Sequence, residues 1–442
     1  MIVFFETLGC SRNQVDSEIM LGKLIAKGHQ ITDDPSIAQT IVVNTCGFIS
    51  TASDEAVDVI LQMAEFKQSG ACKRLIATGC LAQRYKDDPD LVGTLPEVDA
   101  FLGTGACDLI VDVVENRDVK ALTLFPDPGQ RPFQDVNEQR ALTTGPYAYI
   151  KVSEGCNRHC TFCIIPSLRG HQRSRPVEDI CTEARVFVSK GVKEIILTAE
   201  NTTDYGQDLD GDTGFHTVLT ALAQTLKDDN VWIRFLYTHP QTLTESVVKA
   251  VKNHSNICSY YDVPIQHASS AVLKRMGRPY TREDLVALFN TIRSIDPDAV
   301  LRTTLIVGFP GETEQDFQDL LMFIKELKFD HLGVFTYSDS KDLKSHQLAG
   351  HVSDKIAEQR YDQIMAAQAA ISESINMGYV GKIFDVLVEE NPEPGVYIGR
   401  TRFQAPEVDG MTFIYAETLE INTLVKVRIT DGFEYDIAGE IA

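Results

Sequence analysis

The chain has 442 residues, of which 43% are apolar and 24% are charged, so it can bury a sizeable core spread over roughly two to four domains. It contains no apolar run long enough to cross a bilayer and no secretory signal pattern, so we expect a cytoplasmic protein without a membrane partner. The net charge of −22 disfavours a protein that grips nucleic acid, because such proteins neutralise phosphates with a basic surface. In a reducing compartment, the ten cysteines are expected to be buried, metal-bound or catalytic.

Residues 1–115 alternate between strand-like and helix-like segments. Short apolar stretches predict strands at Ile2–Glu6, Thr40–Val43 and Leu75–Thr78, and apolar residues recur at helical spacing between them. This β–α rhythm predicts a doubly wound parallel sheet with helices on its faces. Residues 116–146 contain several prolines and a polar run, which is typical of a linker.

Residues 147–377 again alternate between strands and helices. The clearest helix is Thr313–Leu327, where Thr313 and Asp316 form a capping-box pattern. The predicted strands are Tyr149–Val152, Glu194–Thr198, Ile233–Tyr237, Tyr261–Pro264, Leu301–Val307 and His331–Phe335. They favour a partial (β/α)6 barrel, whose chemistry would lie at the carboxyl ends of its strands. Residues 378–442 alternate apolar and polar residues between turn residues, which predicts a small antiparallel β-barrel.

Three cysteines lie close together just after a predicted strand, and we call Cys156, Cys160 and Cys163 the loop cysteine group. Thiolates at this spacing can converge on one metal centre. Because no fourth cysteine lies near, a four-iron cluster held here would keep one iron open, and an open metal site can bind and activate a ligand. The alternative is structural zinc with His159 as fourth ligand, although closure by His159 and the adjacent Cys160 is awkward.

This pattern resembles the signature of the radical S-adenosylmethionine enzymes. In that family, the open iron of a 4Fe–4S cluster binds S-adenosylmethionine, and an electron from the cluster cleaves it to a 5′-deoxyadenosyl radical. The resemblance therefore implies both cofactors. We expect Phe162, just before the last cysteine, to shield the cluster or to stack near its ligand.

A second set of cysteines is spread along the first domain, and we call Cys10, Cys46 and Cys80 the strand-end cysteine group. Each follows a predicted strand, in a turn of small residues. The carboxyl ends of parallel strands share one edge, where ligand sites form, so these cysteines are expected to meet in space. The alternative is three unrelated buried cysteines.

The two cysteine groups, followed by a small β domain, resemble the methylthiotransferase family over essentially the whole chain. The resemblance implies two 4Fe–4S clusters, one on each group, and insertion of sulfur and a methyl group at an unactivated C–H bond. The final domain resembles the TRAM module of that family. We expect a monomer that takes electrons from a low-potential reductant such as flavodoxin or ferredoxin.

One branch of this family modifies adenosine in tRNA, and the other modifies an aspartate of a small-subunit ribosomal protein. Several stretches resemble the second branch, most tellingly Gly399–Gly410 in the final domain. Residues 378–442 carry five basic and twelve acidic residues, and such a module suits a basic ribosomal protein better than tRNA.

We therefore expect methylthiolation of an aspartate β-carbon in a small-subunit ribosomal protein (protein S-twelve), and we do not expect nucleic acid as the direct substrate. A tRNA methylthiotransferase is the nearer alternative, and it would need a basic groove hidden by the net charge. A non-enzymatic iron–sulfur electron carrier or cluster-delivery protein is the further alternative, and it would need no S-adenosylmethionine site.

Several polar residues outside the cysteine groups are candidates for the site. Glu200 and Asn201 stand where the resemblance leads us to expect Gln-Asp, and either is expected to contact the cofactor or the substrate, with Glu200 also a catalytic candidate. Three arginines after the loop cysteine group are catalytic candidates that would balance cluster charge or hold an acidic substrate side chain. They are Arg169, Arg173 and Arg175.

The predicted strand Leu301–Val307 and the turn after it are also candidates for cofactor binding. Arg302 would pair with the cofactor carboxylate if it points inward. The glycines Gly308 and Gly311 would let the backbone approach a flat ring such as adenine, with Glu312 beside them. The alternative for this turn is a purely structural connection between strand and helix.

Overall fold

The computed structural model describes residues 1–88, 90–116, 122–135, 138, 140–211 and 213–442. Three parts follow one another along the chain. The first is a parallel α/β domain, the second is a partial α/β barrel, and the third is a closed β-barrel. The structure thus confirms the fold class that the sequence predicts.

A six-stranded sheet forms the first domain within the described residues. Its strands are β1 (Ile2–Thr7), β2 (Gln30–Thr32), β3 (Thr40–Thr45), β4 (Arg74–Gly79), β5 (Ala100–Leu102) and β6 (Leu122–Leu124). Its helices are α1 (Ser11–Ala26), α2 (Ser50–Ala64), α3 (Phe66–Ser69), α4 (Cys80–Arg84), α5 (Leu91–Thr94) and α6 (Ile110–Glu115). The strand order is β2-β1-β3-β4-β5-β6, and every pairing is parallel.

Both faces of this sheet are buried, because alternate residues of a strand point to opposite sides. On β3, Ile41 and Val43 belong to the same buried cluster as Ile60 of α2, whereas Val42 belongs to the cluster that contains Leu24 of α1. Since β1, β3 and β4 are parallel neighbours, the turns that follow them lie side by side at one edge of the sheet.

The stretch that the sequence assigns to a linker contributes to both flanking domains. Its strand β6 pairs with β5, and the sequence analysis missed it because it has only three residues. Arg131 binds Asp16 of α1, with Nη1 and Oδ1 2.7 Å apart. Arg140 binds Glu18 of α1 at 2.8 Å and Glu183 of the second domain at 2.7 Å. These arginines therefore join the two domains.

The second domain holds two three-stranded parallel sheets. Its strands are β7 (Tyr147–Lys151), β8 (Ser153–Glu154), β9 (Arg173–Ser174), β10 (Glu194–Thr198), β11 (Trp232–Phe235), β12 (Tyr260–Asp262), β13 (Val300–Val307) and β14 (His331–Thr336). Its helices are α7 (Ile165–Arg169), α8 (Val177–Ser189), α9 (Phe215–Thr225), α10 (Glu245–Asn253), α11 (Ser270–Arg275), α12 (Arg282–Ile295), α13 (Glu314–Leu327) and α14 (Asp354–Met377). The sheets have the orders β11-β10-β7 and β12-β13-β14, and a parallel bridge between Ile233 and Ile257 connects them.

Apolar side chains of strands and helices form one continuous core in the second domain. Ile195 and Leu305 of the strands belong to the same buried cluster as Phe317 of α13. The predicted capping box at the start of α13 is confirmed, because the Thr313 hydroxyl accepts from the Asp316 N–H and the Asp316 carboxylate accepts from the Thr313 N–H. Burial and capping together fix the connection that leads from β13 into this helix.

The third domain is a closed barrel with the strand order β15-β16-β17-β19-β18. The strands are β15 (Ile383–Glu393), β16 (Val396–Thr401), β17 (Thr412–Tyr415), β18 (Leu424–Gly432) and β19 (Ile437–Ile441). All pairings are antiparallel except that of β17 with β19, which is parallel and closes the barrel. Among the described residues, no helix combines the length and the apolar character needed to span a bilayer.

Candidate functional site

A cavity of about 500 Å³ lies between the first and second domains. Its wall includes the whole strand-end cysteine group and the whole loop cysteine group. Glu200, Tyr237, Gln266 and Phe335 also line it, and they lie at or after the carboxyl ends of β10, β11, β12 and β14. The strand ends of both domains therefore face one shared space, which is where ligands bind in parallel α/β folds.

The turns that carry the strand-end cysteine group are packed against one another. A Cβ added to Gly9 would lie 3.0 Å from the Cβ of Cys46, and a Cβ added to Gly47 would lie 2.7 Å from the Cα of Leu81. Larger residues at these positions would push the turns apart. The sheet edge thus collects three cysteines that are distant in sequence, as the position after each strand predicts.

A glycine in the left-handed region directly precedes one cysteine of the loop group and two of the strand-end group. Side chains at such positive φ values are strained, so glycine is favoured there. The glycines are Gly9 (φ +98°), Gly79 (φ +95°) and Gly155 (φ +75°). At Gly79, an added Cβ would also lie 2.7 Å from the carbonyl oxygen of Thr45. The backbone reversal at these glycines determines where the following thiol lies.

Backbone amides donate to sulfur in the loop cysteine group. The Arg158 N–H donates to the Cys156 Sγ at 3.4 Å, and the Ile165 N–H donates to the Cys163 Sγ at 3.5 Å. The loop is also held to the end of α11, where the Thr161 N–H donates to the Met276 carbonyl at 3.0 Å. Amide donation to sulfur is one of the means by which proteins tune iron–sulfur clusters.

Both cysteine groups fit an iron–sulfur cluster better than a single ion. Burial raises the pKa of the Cys80 thiol to about 12 and that of Cys156 to about 11, so these thiols keep their protons until a metal centre displaces them. Nowhere in the described chain do three His, Cys, Asp or Glu side chains converge tightly enough to hold one metal ion. In a 4Fe–4S cluster, each thiolate binds a different iron, so the ligands need not converge on one point. This donor set disfavours the zinc alternative.

The cavity wall carries several buried donors without a hydrogen-bond partner in the described part of the chain. They are Nε and Nη1 of Arg12, Nδ2 of Asn201, Nε2 of His239 and Nε of Arg278. Burial, together with Arg278 and Arg158, lowers the pKa of His239 to about 2, and its Nδ1 accepts from the Gln241 N–H, so Nε2 carries the proton. Unpaired buried donors are costly, and they call for a ligand rich in acceptor atoms. S-adenosylmethionine, with its carboxylate, ribose hydroxyls and ring nitrogens, fits that requirement.

Two residues without the freedom of glycine adopt left-handed backbone conformations at the cavity. They are Tyr237 (φ 60°) and Gln266 (φ 69°), which follow β11 and β12. The Tyr237 N–H donates to Oδ2 of Asp262 at 2.8 Å, which helps to hold this conformation. Such strain costs roughly 1–3 kcal/mol per residue, and it persists where the contacts of a site hold the backbone in that conformation.

Several predicted site residues do line the cavity. Glu200 lies 3.3 Å from Arg12, and the Asn201 Oδ1 accepts from the Thr203 hydroxyl at 3.1 Å. Phe162 packs edge-to-face on Phe309, with ring centroids 6.3 Å apart. Their roles toward the cofactor stay predictions.

Arg169 is the only one of the three predicted arginines that the cavity wall includes, counted over the described residues. Its Nη1 lies 2.6 Å from Asp16, and its Nη2 donates to Oδ1 of Asn13 at 2.6 Å. The same Nη2 lies 3.7 Å from the Cys80 sulfur. Arg169 therefore links the helix after the loop cysteine group to the strand-end cysteine group.

Arg173 and Arg175 lie outside this cavity, and their contacts do not favour the predicted catalytic role. Arg173 donates to the carbonyl of Arg131 at 2.7 Å. Arg175 donates to the carbonyl of Lys151 at 2.8 Å and to Glu183 at 2.7 Å. Their guanidinium groups are used to hold the connection between domains, so they are not free to bind a substrate.

Arg302 is not part of the cavity wall, and its predicted contact with the cofactor stays a prediction that the partners of its guanidinium do not favour. Its Nη1 binds Oδ1 of Asp262 at 2.9 Å, and its Nε lies 3.3 Å from Oδ1 of Asp409 in the third domain. The side chain points toward the barrel because Asp409 offers a buried carboxylate there. Arg302 therefore fastens the third domain to the second.

The turn Gly308–Glu312 is not part of the cavity wall, and its predicted approach to adenine stays a prediction. The Glu312 carboxylate accepts from the backbone N–H groups of Gly308 and Phe309, and it lies 3.4 Å from Arg360 of α14. A Cβ added to Gly311 would lie 2.5 Å from the guanidinium carbon of Arg275. Gly308, Gly311 and Glu312 thus shape a tight connection, which is the alternative weighed for this turn.

The sequence analysis missed Arg12, Asn13, Tyr237 and Arg278 among the residues of the cavity wall. Arg12 and Asn13 follow Cys10 in the first turn of α1, and this adjacency was an available signal. Tyr237 ends a predicted strand, which was another. Arg278 lies in a loop after α11, and nothing in its local sequence marks it.

Comparison with known proteins agrees with this division of the chain. The Radical SAM superfamily matches residues 150–324, the uncharacterized protein family UPF0004 matches residues 2–103, and the TRAM domain matches residues 380–442. The ribosomal protein uS12 methylthiotransferase RimO of Desulfosudis oleivorans is 49% identical over 442 residues and covers 100% of both chains. The protein of the same name from Clostridioides difficile is 44% identical and covers 99% of this chain and 98% of its own.

A solved structure shares the fold at low sequence identity. The radical S-adenosylmethionine methyltransferase TsrM of Kitasatospora setae, with tryptophan and a cofactor analogue bound, has a TM-score of 0.58 at 12% identity. The match covers 85% of this chain and 90% of that one. The likeness concerns the fold alone.

The fold, the two cysteine groups and these matches define a radical S-adenosylmethionine enzyme of the methylthiotransferase class. Membership in this class implies a 4Fe–4S cluster and S-adenosylmethionine. The chain belongs to the RimO family of ribosomal protein uS12 methylthiotransferases.

Proposed function

We propose that this chain attaches a methylthio group to the β-carbon of an aspartate in ribosomal protein uS12. The observation that carries the proposal is that both cysteine groups line one cavity, so two metal centres and a substrate side chain would share one space. The names of the relatives support the choice of uS12.

The loop cysteine group would hold the cluster that works with S-adenosylmethionine, and the strand-end cysteine group would hold a second 4Fe–4S cluster. When bound, the clusters and S-adenosylmethionine supply one-electron chemistry that can activate an inert C–H bond. They also supply the sulfur and the methyl group that are attached to that carbon. Phe162, Glu200 and Asn201 would position the cofactor from the cavity wall. Arg169 would hold the two cysteine groups at a fixed separation, because it contacts Cys80 from the helix that follows Cys163.

The surface charge of the third domain supports a basic protein as substrate. Two of its five basic residues are occupied by contacts with the second domain. Arg400 lies 2.7 Å from Glu194, and Arg402 donates to the carbonyl of Ile257 at 2.6 Å. Two acidic residues are occupied as well, since Asp409 pairs with Arg302 and Glu389 pairs with Arg400. The remaining residues of the barrel keep their acidic excess, which favours a basic ribosomal protein over tRNA.

Anaerobic reconstitution tests the proposal. The protein is loaded with iron and sulfide, given S-adenosylmethionine and reduced with flavodoxin or ferredoxin, the class of electron donor that we propose for it. Total ribosomal protein and total tRNA are offered separately, and mass spectrometry follows the methylthio mass gain. A gain on an aspartate of uS12 supports the proposal, whereas a gain on tRNA alone overturns the substrate. If no 5′-deoxyadenosine is released, the result would favour an electron carrier or a cluster-delivery protein. Size-exclusion chromatography with light scattering checks the proposed monomer.

A further inference from the structure

The cavity must recognise an acidic side chain if the proposed function is correct, yet the arginines predicted for that task are already paired. Arg173 and Arg175 lie outside the cavity, and Arg169 is bound to Asp16 and Asn13. The remaining arginines of the cavity wall are Arg12, Arg158 and Arg278. Their partners decide which of them is free to bind a carboxylate.

Arg158 is fully occupied. Its Nε and Nη2 bind the two oxygens of Asp204 at 2.8 and 2.6 Å, and its Nη1 donates to Gln241 at 2.8 Å. A guanidinium held by a bidentate carboxylate has no free edge for a second one. Arg158 therefore stabilises the loop cysteine group and does not bind substrate.

Arg278 belongs to the loop cysteine group. Its guanidinium lies 5.7 Å from the centre of the Phe162 ring, and the ionisable groups that act on it are Tyr280 and the thiols of the loop cysteine group. It makes no ion pair within the described residues. This position suits the cofactor bound at that group.

Arg12 lies in the first turn of α1, two residues after Cys10, and reaches across to the second domain. Its Nε lies 3.3 Å from Oε1 of Glu200, without the alignment of a hydrogen bond. Neither Nε nor Nη1 has an acceptor in the parts of the chain that the structure describes. Because Glu200 faces the Nε side, Nη1 is left as a donor for a ligand.

A rigid platform holds this guanidinium in place. Its carbon lies 4.4 Å from the centre of the Tyr237 ring, a distance typical of a cation–π contact. Tyr237 is itself fixed in the left-handed region by its hydrogen bond to Asp262. An arginine oriented in advance loses little freedom when it binds a carboxylate with two parallel hydrogen bonds.

We propose that Arg12 binds the carboxylate of the side chain that is modified, and that it selects an aspartate over an uncharged group. The inference rests on the proposed function and names the residue that recognises its substrate. Replacement of a hydrogen on the β-carbon leaves the neighbouring carboxylate intact, so that group is available as a handle throughout. An uncharged nucleobase or amide would add no negative charge to that of Glu200, so it would be bound less tightly than a carboxylate at the unpaired donors of Arg12.

The test compares uS12 with a variant in which the modified aspartate is asparagine. Binding of both forms to the anaerobic, cluster-loaded enzyme is measured by fluorescence anisotropy for the wild type, Arg12→Met and Arg12→Lys. Arg282→Met is the matched control, because Arg282 also pairs with a carboxylate (Glu326, 2.6 Å) and lies 5.4 Å from a ring centre (Phe323), but is not part of the cavity wall. Iron content and 5′-deoxyadenosine formation without uS12 are measured in parallel.

We expect Arg12→Met to weaken binding of the aspartate form on the order of 100-fold and to leave the asparagine form nearly unchanged. Arg12→Lys should retain part of the preference for aspartate, since lysine keeps the positive charge but lacks the planar guanidinium that binds a carboxylate with two hydrogen bonds. The control should bind both forms as the wild type does. Equal binding of both forms by the wild-type enzyme would overturn the inference.

Two further outcomes separate the possible failures. An increased KM for S-adenosylmethionine in Arg12→Met, with uS12 binding unchanged, would assign Arg12 to the cofactor instead. Failure of the wild type to modify uS12 would overturn the proposed function and, with it, this inference. If Arg12→Met lost its iron, a reduced aspartate preference in Arg12→Lys at full iron content would still support the inference, and an unchanged preference there would contradict it.

Discussion

The two cysteine groups reach the same cavity by different routes. The loop cysteine group lies within eight residues of one loop, so local backbone geometry is enough to bring its thiols together. The strand-end cysteine group spans 71 residues, from Cys10 to Cys80, and its members meet only when β1, β3 and β4 pair. One group depends on a short sequence, and the other depends on a folded sheet.

The largest expected effect separates the two groups by function. Cys156→Ala should abolish the release of 5′-deoxyadenosine, because the loop cysteine group would lose its cluster. Cys10→Ala should leave that release intact and stop methylthiolation of uS12. Chromatography of 5′-deoxyadenosine and mass spectrometry of uS12 measure the two activities. Methylthiolation by Cys10→Ala would show that the division of labour is wrong.

The next largest effect is expected at the buried ion pairs of Asp16, which lie between the two cysteine groups. Asp16 is buried among Lys151, Arg169 and Arg131, at distances of 2.6–2.8 Å. Asp16→Asn would leave these cations with too little negative charge and should cost about 3–5 kcal/mol of unfolding free energy at pH 7. Urea denaturation measures this loss. A loss of less than about 1 kcal/mol in unfolding free energy would mean that these ion pairs contribute little to stability.

The same residue predicts a pH dependence. Burial would raise the pKa of Asp16, but Lys151, Arg169 and Arg131 outweigh it and hold the pKa well below 3.8. A carboxylate whose pKa is lowered by folding stabilises the protein above its unfolded pKa, and this stabilisation disappears as the pH falls through the folded value. Between pH 7 and pH 3, the stability difference between wild type and Asp16→Asn should therefore shrink only at the acid end.

A smaller effect should arise from the glycine before Cys80. Gly79→Ala places a side chain at φ +95° and ψ −151°, and its Cβ would lie 2.7 Å from the Thr45 carbonyl. We expect a loss of roughly 1–3 kcal/mol in unfolding free energy and less iron at the strand-end cysteine group. Gly28→Ala is the control, because it has φ +82° but nothing within 4 Å of its Cβ. Equal losses in the two variants would mean that the crowding of the turn is unimportant.

The smallest effect is expected at the protein surface. Arg84 of α4, four residues after Cys80, binds both oxygens of Asp342 at 2.8 and 2.7 Å. The Arg84 side chain is only 3% exposed, but the Asp342 side chain is 40% exposed. Arg84 also keeps its hydrogen bonds to the Gly47 carbonyl and the Ser340 hydroxyl, so Asp342→Asn should lower the unfolding free energy by no more than about 1 kcal/mol. High salt should reduce the difference further, and thermal unfolding with and without salt measures it.

The two cysteine groups could be predicted because spacing and position along the chain are enough to define them. A short spacing defines the loop cysteine group, and the position after a strand defines the other, since parallel strands end at one edge. The same reasoning predicted the three-part fold. It missed β2 and β5, each of three residues, because so short a stretch carries little periodicity.

The roles of single charged residues could not be predicted, because they depend on partners that folding brings from elsewhere. Arg302 turns toward Asp409, which lies 107 residues further along the chain. Arg173 and Arg175 bind groups of the connection and of α8. Arg12 gains its place only when α1 packs against the second domain. In each case, the sequence identifies a charge and the tertiary structure selects its partner.

The position of the strand-end cysteine group near the amino terminus has a consequence for the order of events during synthesis. All three of its cysteines have been translated by residue 80, whereas the loop cysteine group is complete only at residue 163. Chains emerge from the ribosome amino terminus first, at about 5–20 residues per second. At that rate, the second domain, whose last helix ends at Met377, is complete about 15–60 s after Cys80. Until then it does not cover the edge that carries these thiols. Metal delivered in that interval meets an uncovered site, and metal delivered later must pass through the mouth of the cavity.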